Sequence, residues 1–228
     1  MMKTLVVGGS GFLGGAIVDA ALAAGHDVTI LTRGKTNRAQ SLKTKILTAN
    51  RYGSLDILKD QNFDLVFDTC AYTPDAVENL LNAVGNTIQR YVMISSISAY
   101  GDFSKPQMDE IEPVPDATKS DLDIARECIQ NDNVSAPTLG ESYGRLKRAC
   151  EVMAQNILDE RAICLRVGSL VGAGDYTDRL TWWVRRIDQG GQILHPCPKP
   201  NPYKLLMCAM QQISRFTLRQ INYPGFST

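Results

Sequence analysis

Short apolar runs alternate with helix-forming stretches along most of the chain. Leu5-Val6-Val7 is a wholly apolar run, which is typical of a strand that is buried on both faces of a sheet. The same reasoning predicts strands over residues 5–7, 27–32, 45–48, 63–68, 90–95 and 162–166, and helices over residues 16–24, 54–60, 74–84, 122–129, 142–158 and 181–187. Strands separated by helices favour right-handed crossovers, so the pattern predicts an α/β fold, a Rossmann-type doubly wound parallel sheet.

The alternation is interrupted over residues 101–140, which hold four prolines and scattered acidic residues around one short predicted helix. A connection of this length in a compact domain is usually functional, often as a lid or a wall of the substrate site. After the sixth predicted strand the chain should leave the sheet. We therefore predict a Rossmann domain over residues 1–167 and a small, partial substrate-binding lobe over residues 168–228.

Three glycines follow the first predicted strand at the spacing G-x-x-G-x-x-G. Gly8 permits a tight turn, Gly11 lacks the Cβ that would obstruct a pyrophosphate, and Gly14 allows close packing of the next helix. The N–H groups and dipole of that helix would face the phosphates. An ordinary glycine-rich βα turn is the alternative, but the flanking strand and helix favour dinucleotide binding. The predicted contacts in this turn are Gly8, Ser10, Gly11, Phe12, Leu13 and Gly14.

The end of the second strand selects between cofactors in such folds, because an acid there binds the ribose diol of NAD. Here the stretch is Leu31-Thr32-Arg33-Gly34-Lys35, with Arg38 nearby, and it contains no acid. A guanidinium at Arg33 can instead pair bidentately with a 2′-phosphate. The sequence therefore favours NADP over NAD, the alternative being that Arg33 and Lys35 form a solvated turn.

Tyr143 and Lys147 are four residues apart and lie on one face of a predicted helix. We expect the lysine to lower the pKa of the tyrosine, so that the phenol can exchange a proton with a substrate hydroxyl or carbonyl. Ser96 lies at the end of the fifth strand, where ligands meet an open parallel sheet, and would hydrogen-bond the reacting oxygen. A surface tyrosine beside a helical lysine is the alternative.

Together these motifs resemble an extended or atypical short-chain dehydrogenase/reductase of the NAD-dependent epimerase/dehydratase family. The matching pieces are the glycine motif, Ser-Ser-x-x-x-Tyr-Gly at 95–101, the Tyr143/Lys147 pair, and Leu165-Arg166. The resemblance implies that Ser96 is catalytic, rather than Ser95 or Ser98. It further implies that the cofactor is bound by Gly8, Gly11, Gly14, Arg33, Lys147, Cys70, Ala71 and Tyr72.

The function implied by the resemblance is that of an NADP-dependent oxidoreductase or epimerase acting on a small carbonyl or hydroxyl compound or a nucleotide sugar. Catalysis would rest on Ser96, Tyr143 and Lys147. One branch of the family is also similar to chloroplast stem-loop RNA-binding proteins. The alternatives are therefore a non-catalytic NADP-binding sensor, an RNA-associated protein, or a remnant with impaired turnover. Asp175, Asp178 and Arg179 would lie near the substrate pocket, or would cap the helix that follows.

Composition narrows the choice of partners. Lys and Arg number 24 against 24 Asp and Glu, which argues against nucleic acid as a partner. No apolar run is long enough to span a membrane, and the immediate first strand leaves no signal peptide, so we expect a cytoplasmic protein. The six cysteines and two histidines show no metal-ligand spacing, so no metal is expected. Helices around residues 75–84 and 143–158 often pair in this family, so the resemblance allows a homodimer and leaves the oligomeric state open.

Residues 202–214 depart from the pattern of that family. They can be encoded so that the same bases, read two positions later, give Ile-Gln-Val-Ile-Asp-Val-Arg-Asp-Ala-Ala-Asp-Phe, the text that the resemblance leads us to expect. We interpret the segment as a local frameshift that is restored near Phe216, in a chain that is truncated relative to the family. Sequencing the gene across codons 200–216 tests this interpretation.

Overall fold

The computed structural model of the chain describes residues 1–35, 44–102, 108–172 and 174–191. Arg38 and the segment over residues 202–214 lie outside the described residues. No helix in these ranges is long and apolar enough to cross a membrane.

Six parallel strands form one sheet in the order β3-β2-β1-β4-β5-β6. The strands are β1 (Lys3–Val7), β2 (Asp27–Thr32), β3 (Lys45–Thr48), β4 (Leu65–Asp68), β5 (Arg90–Ser96) and β6 (Ala162–Val167). This order is that of the doubly wound dinucleotide-binding fold, whose strand order reverses between β1 and β4. The predicted fold class is confirmed.

Six α-helices accompany the strands within the described ranges. They are α1 (Phe12–Ala23), α2 (Pro74–Val84), α3 (Lys119–Gln130), α4 (Ala136–Leu139), α5 (Ser142–Leu158) and α6 (Arg179–Asp188). The helix predicted over residues 54–60 is only a 3₁₀ turn at Asp56–Leu58. Helix α1 begins four residues earlier than predicted because Gly11, with extended backbone, takes its N-cap position.

The two faces of the sheet carry separate hydrophobic clusters. Leu5 and Val7 point to the side that is covered by α2 and α5, whereas Val6 between them points to α1. All three side chains are at most 2% exposed, as predicted for a strand that is buried on both faces. These clusters fix the strand ends, and with them the positions of the loops above the sheet.

The described part of the excursion over residues 101–140 contains two helices, α3 and α4, in spite of its prolines. Thr118 and Asp121 form a capping box that starts α3. Arg145 of α5 then donates through Nε and Nη2 to the two carboxylate oxygens of Asp121, each at 2.8 Å. A small apolar cluster of Ala125, Leu139 and Leu146 packs α3, α4 and α5 together. Residues 119–139 of the excursion, which we call the arm, are therefore attached to α5.

Candidate active site

A cleft of about 660 Å³ lies at the carboxyl ends of the strands, within the size range of cofactor sites. Its walls come from the turn after β1, the ends of β2, β4 and β5, the start of α5, and the segment that precedes α6. This is the edge of a doubly wound sheet at which ligands bind, beside the point where the strand order reverses.

The turn between β1 and α1 requires two of its glycines. Gly8 has a φ of +81°, and a Cβ there would lie 2.4 Å from Thr69 Oγ1. A Cβ on Gly14 would lie 2.2 Å from the carbonyl oxygen of Gly8, so only glycine lets the helix approach so closely. The N-cap residue of α1 is Gly11, which has no side chain to cap the first N–H groups of the helix. The first residues of the helix line the cleft.

The remaining predicted residues of this turn lie along the same wall. Ser10, Gly11, Phe12 and Leu13 all line the cleft. The Ser10 and Thr32 hydroxyls are 3.0 Å apart, which ties the glycine turn to the end of β2. The structure thus brings all six predicted residues of the turn to one end of the cleft.

Arg33 and Lys35 also line the cleft, and their exposed side chains share one carboxylate. Arg33 Nη1 donates to Asp132 Oδ1 at 3.1 Å, and Lys35 Nζ pairs with the other oxygen of that carboxylate. Asp132 lies 99 positions after Arg33, in the connection between α3 and α4. Sequence reasoning missed this acid, because nothing in the local pattern around Asp132 points to β2.

Two of the three residues predicted after β4 line the cleft. Cys70 and Tyr72 do so, whereas Ala71 is fully buried in the core and is not part of the cleft wall. Since side chains of an extended segment alternate in direction, Ala71 faces the apolar cluster under α2 while its neighbours face the cleft.

A buried ion pair that was not predicted fixes this segment. Arg51 donates from Nη1 and Nη2 to the two oxygens of Asp68, at 2.6 and 2.8 Å. Tyr91 Oη donates to the same carboxylate at 2.8 Å, and the Cys70 N–H does so at 3.1 Å. Burial alone would raise the pKa of Asp68, but the Arg51 charge and these hydrogen bonds outweigh it and lower that pKa. Arg51 also lines the cleft.

Ser96 and Tyr143 meet at the opposite end of the cleft. The nearby Ser96 hydroxyl acts to lower the pKa of Tyr143, as does the charge of Arg179. Burial is the larger effect, so the pKa of Tyr143 is raised above its usual value. The expected net lowering of the Tyr143 pKa is therefore wrong for this structure, because burial disfavours the phenolate.

Lys147 is close to Tyr143 but is held by the backbone. Its Nζ donates to the carbonyl oxygen of Ile94 at 2.8 Å and lies 4.8 and 5.8 Å from the ring centroids of Tyr72 and Tyr143. The side chain is only 3% exposed, and burial lowers the pKa of its ammonium group. The cation is thus a fixed part of the cleft wall, placed between two tyrosine rings.

Ser95 and Ser96, at the end of β5, have different partners. Ser95 Oγ donates to Glu151 Oε1 at 2.6 Å, and Arg166 also binds that carboxylate through two hydrogen bonds of 3.0 and 2.7 Å. Ser96 Oγ instead accepts the Ser98 N–H at 3.1 Å. The structure therefore brings Ser96, and not Ser95, to Tyr143.

Gly144 sets the spacing of this pair. A Cβ at this position would lie 2.0 Å from the carbonyl oxygen of Ser98, so α5 packs directly on the backbone that follows β5. The glycine lies inside the Tyr-x-x-x-Lys motif, but sequence reasoning missed its role. Its lack of a side chain was the available signal, since an unneeded glycine weakens a helix interior.

Cys70, Cys128, Cys150 and Cys164 are free thiols. Within the described ranges there is no group of three or more His, Cys, Asp or Glu side chains that could hold a metal ion. The described cleft is lined by hydroxyl, phenol, thiol, carboxylate, ammonium and guanidinium groups.

The model of the NAD dependent epimerase/dehydratase family matches residues 4–199 of the chain. No curated protein matches the chain. Among solved structures, the chain is similar to the enzyme WbmG from Bordetella bronchiseptica, in complex with NAD and UDP, with a TM-score of 0.63 and 16% identity. That match covers 85% of this chain and 62% of WbmG.

Two further solved structures are UDP-N-acetylglucosamine 4-epimerases. The protein from Bacillus cereus matches with a TM-score of 0.57 and 23% identity over 85% of this chain and 64% of that one. The protein from Methanobrevibacter ruminantium M1, in complex with UDP-N-acetylmuramic acid, matches with a TM-score of 0.62 and 18% identity over 95% and 72%. At these sequence identities, the structural matches show a shared fold and nothing more. The chain spans 59% to 65% of the length of several of the matched structures.

Proposed function

The chain belongs to the NAD dependent epimerase/dehydratase family, and from that premise we propose that it is an NADP-dependent oxidoreductase or epimerase. The observation that carries this proposal is the content of one cleft. A helix N-terminus above a glycine turn, with a glycine at its N-cap position, forms one end, and Ser96, Tyr143 and Lys147 form the other.

The residues present fit a dinucleotide. The cradle at Gly8 and Gly14 would be filled by any Cβ, and the N-terminus of α1 suits the negative charge of a pyrophosphate. Cys70 and Tyr72 would line the nucleoside, and Lys147 would hold the nicotinamide ribose. When bound, the nicotinamide supplies the hydride acceptor or donor.

Two cations support NADP as the preferred form. Arg33 and Lys35 stand together at the end of β2, where the 2′-substituent of the adenosine ribose lies in this fold. A guanidinium and an ammonium can share the three oxygens of a 2′-phosphate, while a ribose diol would leave both cations without a phosphate partner.

Tyr143 is placed to act as the proton donor. Its raised pKa keeps the phenol protonated at neutral pH, which suits reduction of a carbonyl. As the substrate oxygen gains negative charge, Tyr143 donates its proton and Ser96 donates a hydrogen bond to the same oxygen. The charges of Lys147 and Arg179 would then stabilise the phenolate that remains.

A nucleotide sugar is the substrate class that we favour, and a small carbonyl or hydroxyl compound is the second. The favoured class comes from the family and from the names of the matched structures, which include UDP-N-acetylglucosamine 4-epimerases. Arg179 supports it, because this guanidinium lines the cleft near Tyr143 and could bind a diphosphate.

The test combines binding with turnover on the purified chain. NADPH and NADH binding is measured by fluorescence, and turnover is then followed over a panel of nucleotide sugars and carbonyl compounds. Tyr143→Phe should lower kcat at least 100-fold, because a positioned general acid contributes about 10²- to 10⁴-fold. The same variant should bind NADPH as the wild type does, since the cofactor contacts proposed above do not involve its hydroxyl group.

Three results would contradict the proposal. Turnover that survives Tyr143→Phe would remove the phenol from the reaction. Binding of NADPH with no turnover on any member of the panel would instead favour a non-catalytic sensor, and absence of binding would favour a remnant.

A further inference from the structure

We propose that Asp132, which lies outside the nucleotide-binding strands, sets how strongly the chain prefers NADP over NAD. It does so as a displaceable counter-ion of Arg33 and Lys35. A 2′-phosphate has to displace this carboxylate before it can use either cation. This inference rests on the proposed function, because it concerns the same nucleotide cleft.

The contact itself is a three-member ion cluster. Asp132 presents one carboxylate oxygen to Arg33 Nη1 at 3.1 Å and the other to Lys35 Nζ. The side chains are 41%, 54% and 52% exposed for Arg33, Lys35 and Asp132. The two cations that we assign to the 2′-phosphate thus already share an anion, and water can reach all three groups.

Asp132 is held by its own loop rather than by the cations. Its backbone has a φ of +48°, and its N–H donates to the carbonyl oxygen of Ile129 at 3.0 Å. The next N–H, that of Asn133, donates to Cys128 O at 2.9 Å, and Thr138 Oγ1 donates to Asn133 O at 2.8 Å. The carboxylate therefore projects from a hydrogen-bonded turn at the end of α3.

The arm that carries this turn is anchored on the catalytic side of the cleft. Arg145 of α5 binds Asp121 at the start of α3, and Val134, Ser135 and Ala136 line the cleft directly after the turn. The arm thus runs from α5 to the end of β2. Because both of its ends are fixed, the flexible side chains of Arg33 and Lys35 are the groups that can exchange partners.

The exchange has an electrostatic consequence. A bound 2′-phosphate is attracted by two cations. Part of that favourable binding energy is lost, because the Asp132 contacts must be broken and a carboxylate stays nearby. NAD, which lacks that phosphate, would leave the ion cluster intact. Asp132 therefore reduces the ratio of NADP affinity to NAD affinity that Arg33 and Lys35 create, and its removal should increase that ratio.

The test measures binding of two nucleotide fragments by calorimetry on the full chain. The fragment 2′,5′-ADP carries the 2′-phosphate, and 5′-ADP lacks it. Asp132→Asn should bind 2′,5′-ADP about two- to tenfold more tightly than the wild type, since exposed ion pairs of this kind are worth that factor, and should bind 5′-ADP equally well. In an Arg33→Ala background, the gain from Asp132→Asn should become smaller.

A matched control is available on the same arm. Asp123 is a 54% exposed acid of α3 that pairs with Arg126, and Asp123→Asn should alter the binding of neither fragment. Unchanged or weaker binding of 2′,5′-ADP by Asp132→Asn, with the wild type still preferring it over 5′-ADP, would overturn the inference and leave the proposed cofactor intact. If the wild type binds neither fragment, the proposed function fails and this inference fails with it.

Discussion

At the residue scale, the proposed chemistry depends on positions where a side chain is absent as much as on those that carry functional groups. Gly144 brings α5 onto the backbone of Ser98, and this contact places Tyr143 beside Ser96. Gly14 does the same for α1 and the turn after β1. Each glycine lowers the stability of its helix, but it allows that helix to approach the neighbouring backbone closely.

Gly144→Ala tests this role. The new Cβ would meet the Ser98 carbonyl oxygen at 2.0 Å, so α5 has to shift, and we expect a loss of about 1–3 kcal/mol in the free energy of unfolding. Urea unfolding measures the loss, and kcat should fall with it because Tyr143 moves away from Ser96.

The matched control is Gly15→Ala, the same change in helix α1. The nearest atom to a Cβ there is 3.8 Å away, so the variant should be up to about 1 kcal/mol more stable than the wild type. If Gly144→Ala behaved like this control, close packing at Gly144 would be ruled out.

At the scale of elements, the sequence predicted what local patterns determine. Strands β2 and β3 and helices α2 and α5 have the predicted bounds, because apolar runs and the proline at the start of α2 are local signals. Helix α3 is longer than predicted at both ends, and its start is set by the capping box of Thr118 and Asp121. That motif is readable in the sequence, but the proline-rich context concealed it.

The attachment of the arm to α5 predicts a pH-dependent stability. Hydrogen bonds from Arg145 hold the pKa of Asp121 well below its usual range. A depressed pKa means that ionised Asp121 stabilises the fold above its unfolded pKa of about 3.9, and that this contribution is lost as the pH falls further. Asp121→Asn should therefore cost about 1–3 kcal/mol at pH 7, and progressively less between about pH 4 and pH 2.5.

Urea unfolding of both proteins across that pH range measures the difference. Asp123→Asn is the control, because its exposed pair with Arg126 should contribute less than about 1 kcal/mol at any pH. A cost of Asp121→Asn that stayed constant down to pH 2.5 would show that the charge of Asp121 is not what fastens the arm.

At the scale of the whole molecule, distant parts of the chain are coupled by ion pairs that the sequence could not reveal. Asp132 meets Arg33, Asp121 meets Arg145, and Arg51 meets Asp68, at separations of 99, 24 and 17 residues. Such contacts leave no periodicity or spacing in the sequence. The glycine turn and the Tyr143 motif were predictable because each is contained in one local segment, whereas the counter-ion of Arg33 appears only once the chain is folded.

The central claim is that one cleft seats the pyrophosphate on the glycine turn and places the nicotinamide before Ser96 and Tyr143. A crystal structure of the chain with NADP⁺ tests this most directly. We predict pyrophosphate oxygens about 2.7–3.2 Å from N–H groups in the first turn of α1, the 2′-phosphate on Arg33, and the nicotinamide on the Tyr143 side of the cleft. A pyrophosphate bound away from residues 8–14, or a Tyr143 hydroxyl directed out of the cleft, would contradict the account.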